Sequence, residues 1–240
     1  MIINNNISAI NTRNQLFNTN GASGKSMEKL SSGKRINRAA DDAAGLSISE
    51  KMRAQIRGLG QAARNSQDGI SFIQTAEGAL DEVSNMLVRL KELSVQKANG
   101  TYSSDDVTNL ELEMTQLGLE IDNIFDKTKF NGKNVLTTSV SIAINDAADT
   151  LAITATSSTG IKGLTSSSSL SAVDTAITNV NKARATYGSL QNRLESTVRN
   201  LKATAENLQA AESRIRDTDM AEEMSTFTKN NILVQAGTAM

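Results

Sequence analysis

"ISFIQTAEGALDEVSNMLVRLKELSVQKANG", residues 70–100, sets Ile73, Ala76, Leu80, Val83, Leu87 and Leu90 at alternating steps of three and four. That alternation puts every apolar side chain on one stripe of an α-helix, the heptad pattern of helices packed side by side. Asn99-Gly100 supplies the residue types that accept the left-handed turn after a helix C-terminus. This stretch is therefore a long helix with one buried seam, and the rest of the chain has to supply its partners.

Two partners are legible. "SSDDVTNLELEMTQLGLEID", 103–122, opens with Ser103 or Ser104 as a helix cap and places Asp105 and Asp106 in the first turn, where carboxylates suit the helix dipole. Its seam is Leu110, Met114, Leu117, Ile121 and Ile124. From Ala172 the same period returns through Val173, Ile177, Val180, Tyr187, Leu190, Leu194, Leu201, Leu208, Ala211 and Ile215. At 1.5 Å per residue that rod is about 60 Å long. Between these helices, "FNGKNVL" (130–136) reads as a turn. Val140, Ile142, Ile144, Leu151 and Ile153 then alternate with small or polar residues as in a β-hairpin, and "TSSTGIKGLTSSSSLS" (156–171) reads as a Ser/Thr/Gly linker.

Upstream, Ile7, Ile10, Asn14, Phe17, Met27 and Leu30 predict an amphipathic helix over 4–33, interrupted near Gly21 and Gly24. Ser47–Gly58 predicts a short separate helix carrying Ile48, Met52 and Ile56, and the long seam starts near Gln61. Past Asp217 a weaker amphipathic segment closes the chain. Ile2, Ile3, Ile7, Ile10 and Phe17 are too apolar and periodic for a tail that never docks. The two terminal segments either pack on each other or stay loose until other copies supply partners. The expected fold is mainly α, an elongated antiparallel helical bundle or coiled coil with a small β-hairpin at its tip.

Composition narrows the chemistry. The 240 residues hold no Pro, Cys, His or Trp, so no proline breaks a helix, and zinc sites of Cys and His, cysteine nucleophiles and Ser-His-Asp triads are ruled out. Aromatics at 3% favour thin helix-on-helix packing over a thick globular core. A net charge of −1 gives no nucleic-acid footprint. No apolar run is long enough to span a membrane, and the start lacks the basic and apolar regions of a cleavable signal. The expectation is no enzyme, no cofactor and no metal.

"KRINRAADDAAGLS", 34–47, stands out against the helices. It lacks the glycine spacing and preceding strand of a phosphate loop, and Asp41-Asp42 has no third oxygen ligand at calcium-loop spacing. Lys34, Arg35 and Arg38 against Asp41 and Asp42 are read as an ion-pair network that fixes a joint.

"MIINNNISAINTRNQL" (1–16), "LSSGKRINRAADDAAGLSISEKMRAQIRGL" (30–59), "NSQDGISFIQTAEGALDEV" (65–83), "FNGKNVL" and "AESRIRDTDMAEEMSTFTKNNILVQAGTAM" (211–240) together resemble bacterial flagellin over about 1–136 and 173–240. The resemblance implies a structural subunit that assembles with its own copies into an extracellular motility filament. It implies export through a type III channel and partnership with flagellar cap, hook-junction and export-chaperone proteins, while charge and hydropathy predict no nucleic-acid and no membrane partner. Residues 1–44 with 218–240 would form an inner layer, 45–217 an outer rod domain, and 137–172 its short variable insertion. Residues 34–47 match the family's spoke joint. Family members usually continue past "QAGTAM" with one or two further helical turns that also help bind the chaperone, whereas this sequence stops at Met240. By the same resemblance "LVRLKELSVQ" (87–96) and "LELEMTQ" (110–116) carry the family's Toll-like receptor 5 contact on Arg89, Leu93 and Glu113, a face that packing between subunits would also use. The alternatives are a hook-filament junction protein and a helical signalling hairpin of the chemoreceptor type. The second would want a membrane anchor.

Overall fold

The computed structural model describes residues 6–239, so Ile2 and Ile3 lie outside the described residues. Five helices and two small antiparallel sheets follow in order: α1 (Ile7–Ser32), α2 (Ala43–Lys97), α3 (Ser104–Lys127), β1 (Lys129–Phe130), β2 (Lys133–Asn134), β3 (Val140–Ala143), β4 (Thr150–Ile153), α4 (Leu170–Arg216) and α5 (Met220–Ala239). The chain divides into two compact units, Met1–Arg57 with Ala205–Met240, and Gly58–Thr204. The sequence reading placed these boundaries at residues 44 and 217. No described helix is long and apolar enough to cross a membrane.

In the unit 58–204 the core is the seam of α2 meeting α3 and α4. Ile73, Ala76, Leu80, Val83, Leu87 and Leu90 are fully buried, with Met114, Ile121 and Phe125 of α3 and Val173, Val180, Tyr187, Leu190, Leu194 and Leu201 of α4. Leu110, Leu117 and Leu208 are only half-buried. Four ion pairs lace the helix edges in this unit: Lys91–Asp174 at 2.7 Å, Arg184–Asp81 at 3.0 Å, Lys97–Glu111 at 2.7 Å and Arg89–Glu113 at 3.0 Å. They join partly exposed side chains, so they set register more than stability. α3 begins in a capping box: Ser103 accepts from the Asp106 N–H at 3.3 Å, and Asp106 accepts from the Ser103 N–H at 3.2 Å. The Ser103 hydroxyl also donates to the Asp106 carboxylate at 2.7 Å, and this bond with the one from the Ser103 N–H holds the carboxyl below its ordinary pKa.

Several local expectations are corrected. α1 is continuous through Gly21 and Gly24, and α2 is one helix across the supposed break near Gly58. A helical glycine costs only about 1 kcal/mol relative to alanine, which tertiary packing overrides. "FNGKNVL" is more than a turn. Asn131 and Gly132, at φ 48° and 78°, form a two-residue connection between β1 and β2, the left-handed pair that a tight hairpin needs.

The β3–β4 hairpin pairs Val140 with Ile153 and Ile142 with Leu151, and Ile142, Leu151 and Ile153 are buried. Its expected place at the tip is corrected. Ile142 packs over Gly69 of α2, with Leu194 of α4 alongside, and a Cβ on Gly58 would meet Asp146 at 2.9 Å. The hairpin therefore lies back along the flank of α2, away from the α2–α3 turn, because its apolar face finds cover only against the helices.

The Ser/Thr/Gly linker is corrected as well. Ile161 is fully buried, Leu164 nearly so, and the Leu164 carbonyl sits directly over Gly118 of α3. Lys162 donates to both oxygens of Asp126 at 2.8 Å, the Gly163 N–H donates to Asp122 at 3.1 Å, and Lys97 Nζ reaches the Ser166 carbonyl at 2.9 Å. The segment is a docked strap that completes the core.

Candidate assembly surface

α1 and α5 pack against each other within the unit formed by the two ends of the chain. The side chains that α1 turns inward are mostly small and polar, with Leu16 the apolar exception toward α5. Ser23 and Ser26 are its buried residues, with Thr12, Leu16 and Thr19 half-buried before them. α5 contributes Glu223, Phe227, Asn230, Val234 and Gly237 to its half-buried face, and Glu223 meets Lys29 of α1 at 3.6 Å. Apart from Leu16, Leu30, Phe227 and Val234, the large apolar side chains point the other way. Phe17 is 81% exposed and Ile7 72%, with Ile10 and Met27 exposed beside them, and Met220, Met224, Ile232 and Leu233 are exposed on α5. Small inner residues let the two helices approach closely, and the cost is an apolar exterior facing water. Such a surface marks an interaction site.

The segment 33–42 and its counterpart 215–218 attach this pair. Gly33 takes φ 67° and ends α1 by donating its N–H to the Lys29 carbonyl at 2.8 Å. Lys34 then pairs with Asp217 in an isolated antiparallel bridge. The Arg35 N–H donates to the Arg216 carbonyl at 2.7 Å, the Thr218 N–H to the Gly33 carbonyl at 3.1 Å, and the Arg35 guanidinium to the Ile215 carbonyl at 2.8 Å. Arg216, 9% exposed, bonds Glu50 of α2 at 2.6 Å, and Ile36 and Ser49 are buried as well. That bond to Arg216, with a second from Arg53, holds the Glu50 carboxyl below its ordinary pKa.

The expected ion-pair network within 34–42 is corrected. Among the described residues, no ion pair joins Lys34, Arg35 or Arg38 to Asp41 or Asp42. Arg38 pairs instead with Glu28 at 3.0 Å. Asp41 accepts from the backbone N–H groups of Arg38 at 2.9 Å and Asn37 at 3.2 Å, which lowers its pKa. Asp42 accepts from the Gly45 N–H at 2.8 Å in the first turn of α2, and its carboxylate leaves no room for a Cβ on Gly45. The acidic residues serve the backbone because a short bend leaves N–H groups that need acceptors. The basic residues reach out to neighbouring elements.

The three expected receptor residues separate. Arg89 and Glu113 are exposed and bonded to each other, and Arg89 also reaches Glu92 at 3.2 Å. Leu93 is fully buried and cannot touch a receptor from the folded chain. It lies three residues beyond Leu90 and simply continues the seam. Sequence reasoning missed the half of the terminal pair that matters most, its inner serines and threonines. Their signal was present at Thr12, Thr19, Ser23 and Ser26, spaced by seven, four and three.

The chain matches the bacterial flagellin N-terminal helical region over residues 3–141 and the bacterial flagellin C-terminal helical region over residues 170–240. It is 52% identical to a flagellin of Halalkalibacterium halodurans over 257 residues, an alignment that takes in 100% of this chain and 94% of that one. It is 48% identical to a flagellin of Bacillus subtilis, covering 100% of this chain and 95% of that one. Against the flagellar filament 33 kDa core protein of Treponema phagedenis the identity is 47%, with 100% and 94% covered. Among solved structures, the Bacillus cereus flagellin superposes at a TM-score of 0.52 and 37% identity, covering 62% of this chain and 94% of that one. With both helical regions and the full length accounted for, the chain belongs to the bacterial flagellin family.

Proposed function

We propose that this chain is a self-associating structural subunit of an extracellular flagellar filament and serves motility through that filament. The observation that carries the reading is the inverted terminal pair, with serines and threonines in its seam and Ile7, Ile10, Phe17, Met27, Met220, Met224, Ile232 and Leu233 outside. Burying one such side chain fully against a neighbouring copy stabilises by about 1.5–3 kcal/mol, so a modest share of this face suffices to hold copies together. Type III export, and partnership with cap, hook-junction and chaperone proteins, are supported by family membership alone.

The test is to compare the chain with Phe17→Asp and with Ile232→Asp by electron microscopy after salt-induced polymerisation. Long filaments from the parent chain and loss of filaments in both variants, with unchanged circular-dichroism melting, is the expected result. Wild-type filament yield in both variants would refute the assignment of this face. A parent chain that never polymerises, even on filament seeds, would count against the subunit reading itself.

For a Toll-like receptor 5 contact, the exposed Arg89–Glu113 pair favours a two-residue contact without Leu93. Arg89→Ala should then lower signalling in receptor-reporter cells while leaving the fold intact, and unchanged signalling would exclude the contact.

A further inference from the structure

We propose that Asn99 is a self-modification site: its side-chain amide is lost spontaneously, giving aspartate and isoaspartate in the α2–α3 turn, while Asn131 in an identical Asn-Gly dipeptide is protected by its fold. In this reaction the backbone nitrogen of the following glycine gives up its proton to solvent and attacks the asparagine Cγ. The new N–Cγ bond closes a five-membered succinimide, and the Cγ–Nδ2 bond breaks to release ammonia. Water then adds to either ring carbonyl and opens the ring. The net change is one water consumed, one ammonia released and one carboxylate gained, with no oxidation or reduction. Three features govern the rate: freedom of the asparagine ψ, an unencumbered nucleophile, and approach of Cγ to that nitrogen.

Asn99 meets all three. α2 ends at Lys97, and Asn99 and Gly100 are exposed in the turn that follows. Among the described residues no hydrogen bond holds the Gly100 N–H, and beyond its two chain neighbours no atom lies within 4 Å of where a Gly100 Cβ would stand. The Asn99 side-chain oxygen accepts from the Thr101 N–H at 3.3 Å. That contact turns the Asn99 side chain toward the backbone that follows it and polarises the carbonyl to be attacked.

Asn131 fails on the first. Its φ of 48° and the 78° of Gly132 place both residues in the left-handed region, where ψ is far from the value that ring closure needs. The pairing of Phe130 with Lys133 and of Lys129 with Asn134 holds them there. Asn134 anchors the hairpin by donating to the carbonyls of Phe125 at 2.7 Å and Asp126 at 2.9 Å. The turn must open before Asn131 can react.

The product has physical consequences. A carboxylate just past the C-terminus of α2 faces the negative end of the helix dipole, and the isoaspartyl form adds a methylene to the backbone of the turn. The formal net charge moves one unit more negative than −1.

The experiment incubates the full-length chain in mildly alkaline buffer, folded and in denaturant. Peptides digested under mildly acidic conditions are then followed by mass spectrometry that separates aspartate from isoaspartate. In the folded chain Asn99 should convert at least about tenfold faster than Asn131, the ratio that a barrier difference of about 1.4 kcal/mol produces. In denaturant the two should converge. Gly100→Ala should slow Asn99 by about tenfold through crowding of the nucleophile, with no change in melting because the added methyl has open space. Equal rates in the folded chain, conversion at Asn99 only after unfolding, or an unaffected Gly100→Ala variant would each overturn the proposal.

Discussion

In the region 58–204, Leu80, Val83, Leu87, Met114, Ile121 and Leu194 are withdrawn from water, and only a minority of the large apolar side chains, among them Val95, Leu112 and Leu119, stay exposed. In α1 and α5 the buried residues are Ser23 and Ser26, and Phe17 and Ile232 face solvent. Both regions are helices packed on helices, and neither uses disulfides or a thick aromatic core. One region satisfies most of its hydrophobic surface within the chain, and the other leaves most of its large apolar side chains for something outside it. The first is built for stability as a monomer; the second spends its apolar residues on association.

The sharpest way to break this contrast is to place the same charge in each region. Leu87→Asp buries a carboxylate without a partner in the α2 seam and should cost about 3 kcal/mol or more, lowering the thermal midpoint by many degrees. Phe17→Asp should change monomer stability by no more than about 0.5 kcal/mol, since its side chain is already in water. Matching losses in the two variants would erase the distinction.

A second substitution probes the strap. Gly118→Val forces a side chain against the Leu164 carbonyl and should cost about 1–3 kcal/mol, with faster proteolysis between residues 156 and 169 as the accompanying sign. No loss of stability would mean that the strap is a loose linker after all.

Acid titration probes the terminal unit. The Glu50 pKa is lowered in the folded chain, chiefly by Arg216. The stabilisation it brings is therefore present above the ordinary glutamate range and is lost as pH falls through the lowered folded value. Arg216→Met should flatten that part of the pH–stability curve, read by urea melts. An unaltered curve would show that the pair contributes nothing to this unit.

The smallest effect is a gain. Ala148 holds φ 60° at the exposed turn of the β3–β4 hairpin. Ala148→Gly should stabilise the chain by about 0.5–1 kcal/mol, measured as a small rise in the urea midpoint.

What could be read from the sequence follows from which interactions are local. The seam of α2, the Ser103 cap and the alternation of β3 and β4 each depend on neighbours within a few residues, and periodicity exposes them directly. Ile161 and Leu164 were hidden because two apolar anchors among serines and glycines have no period, and what they bury against, Gly118, is distant in the chain. The continuity of α1 and α2 was obscured because glycine weakens a helix by an amount that packing readily offsets. Lys34 to Asp42 read as opposite charges close in sequence, yet the bend spent its carboxylates on backbone N–H groups. Leu93 misled because the resemblance supplied a role where the seam, followed three residues further, would have supplied burial.

The bridge between Lys34 and Asp217 also bears on how the chain acquires its structure in time. The Arg35–Ile215 bond spans 180 residues of sequence, whereas the Arg89–Glu113 bond spans 24. Closing the longer loop costs more chain entropy, so the α2–α3 hairpin can form early and the junction of α1 with residues 215–218 forms late. During folding, α1 therefore waits for its pairing until residues 215–218 have been brought back across almost the whole chain. Its isoleucines and Phe17 stay open to water both during that interval and after it.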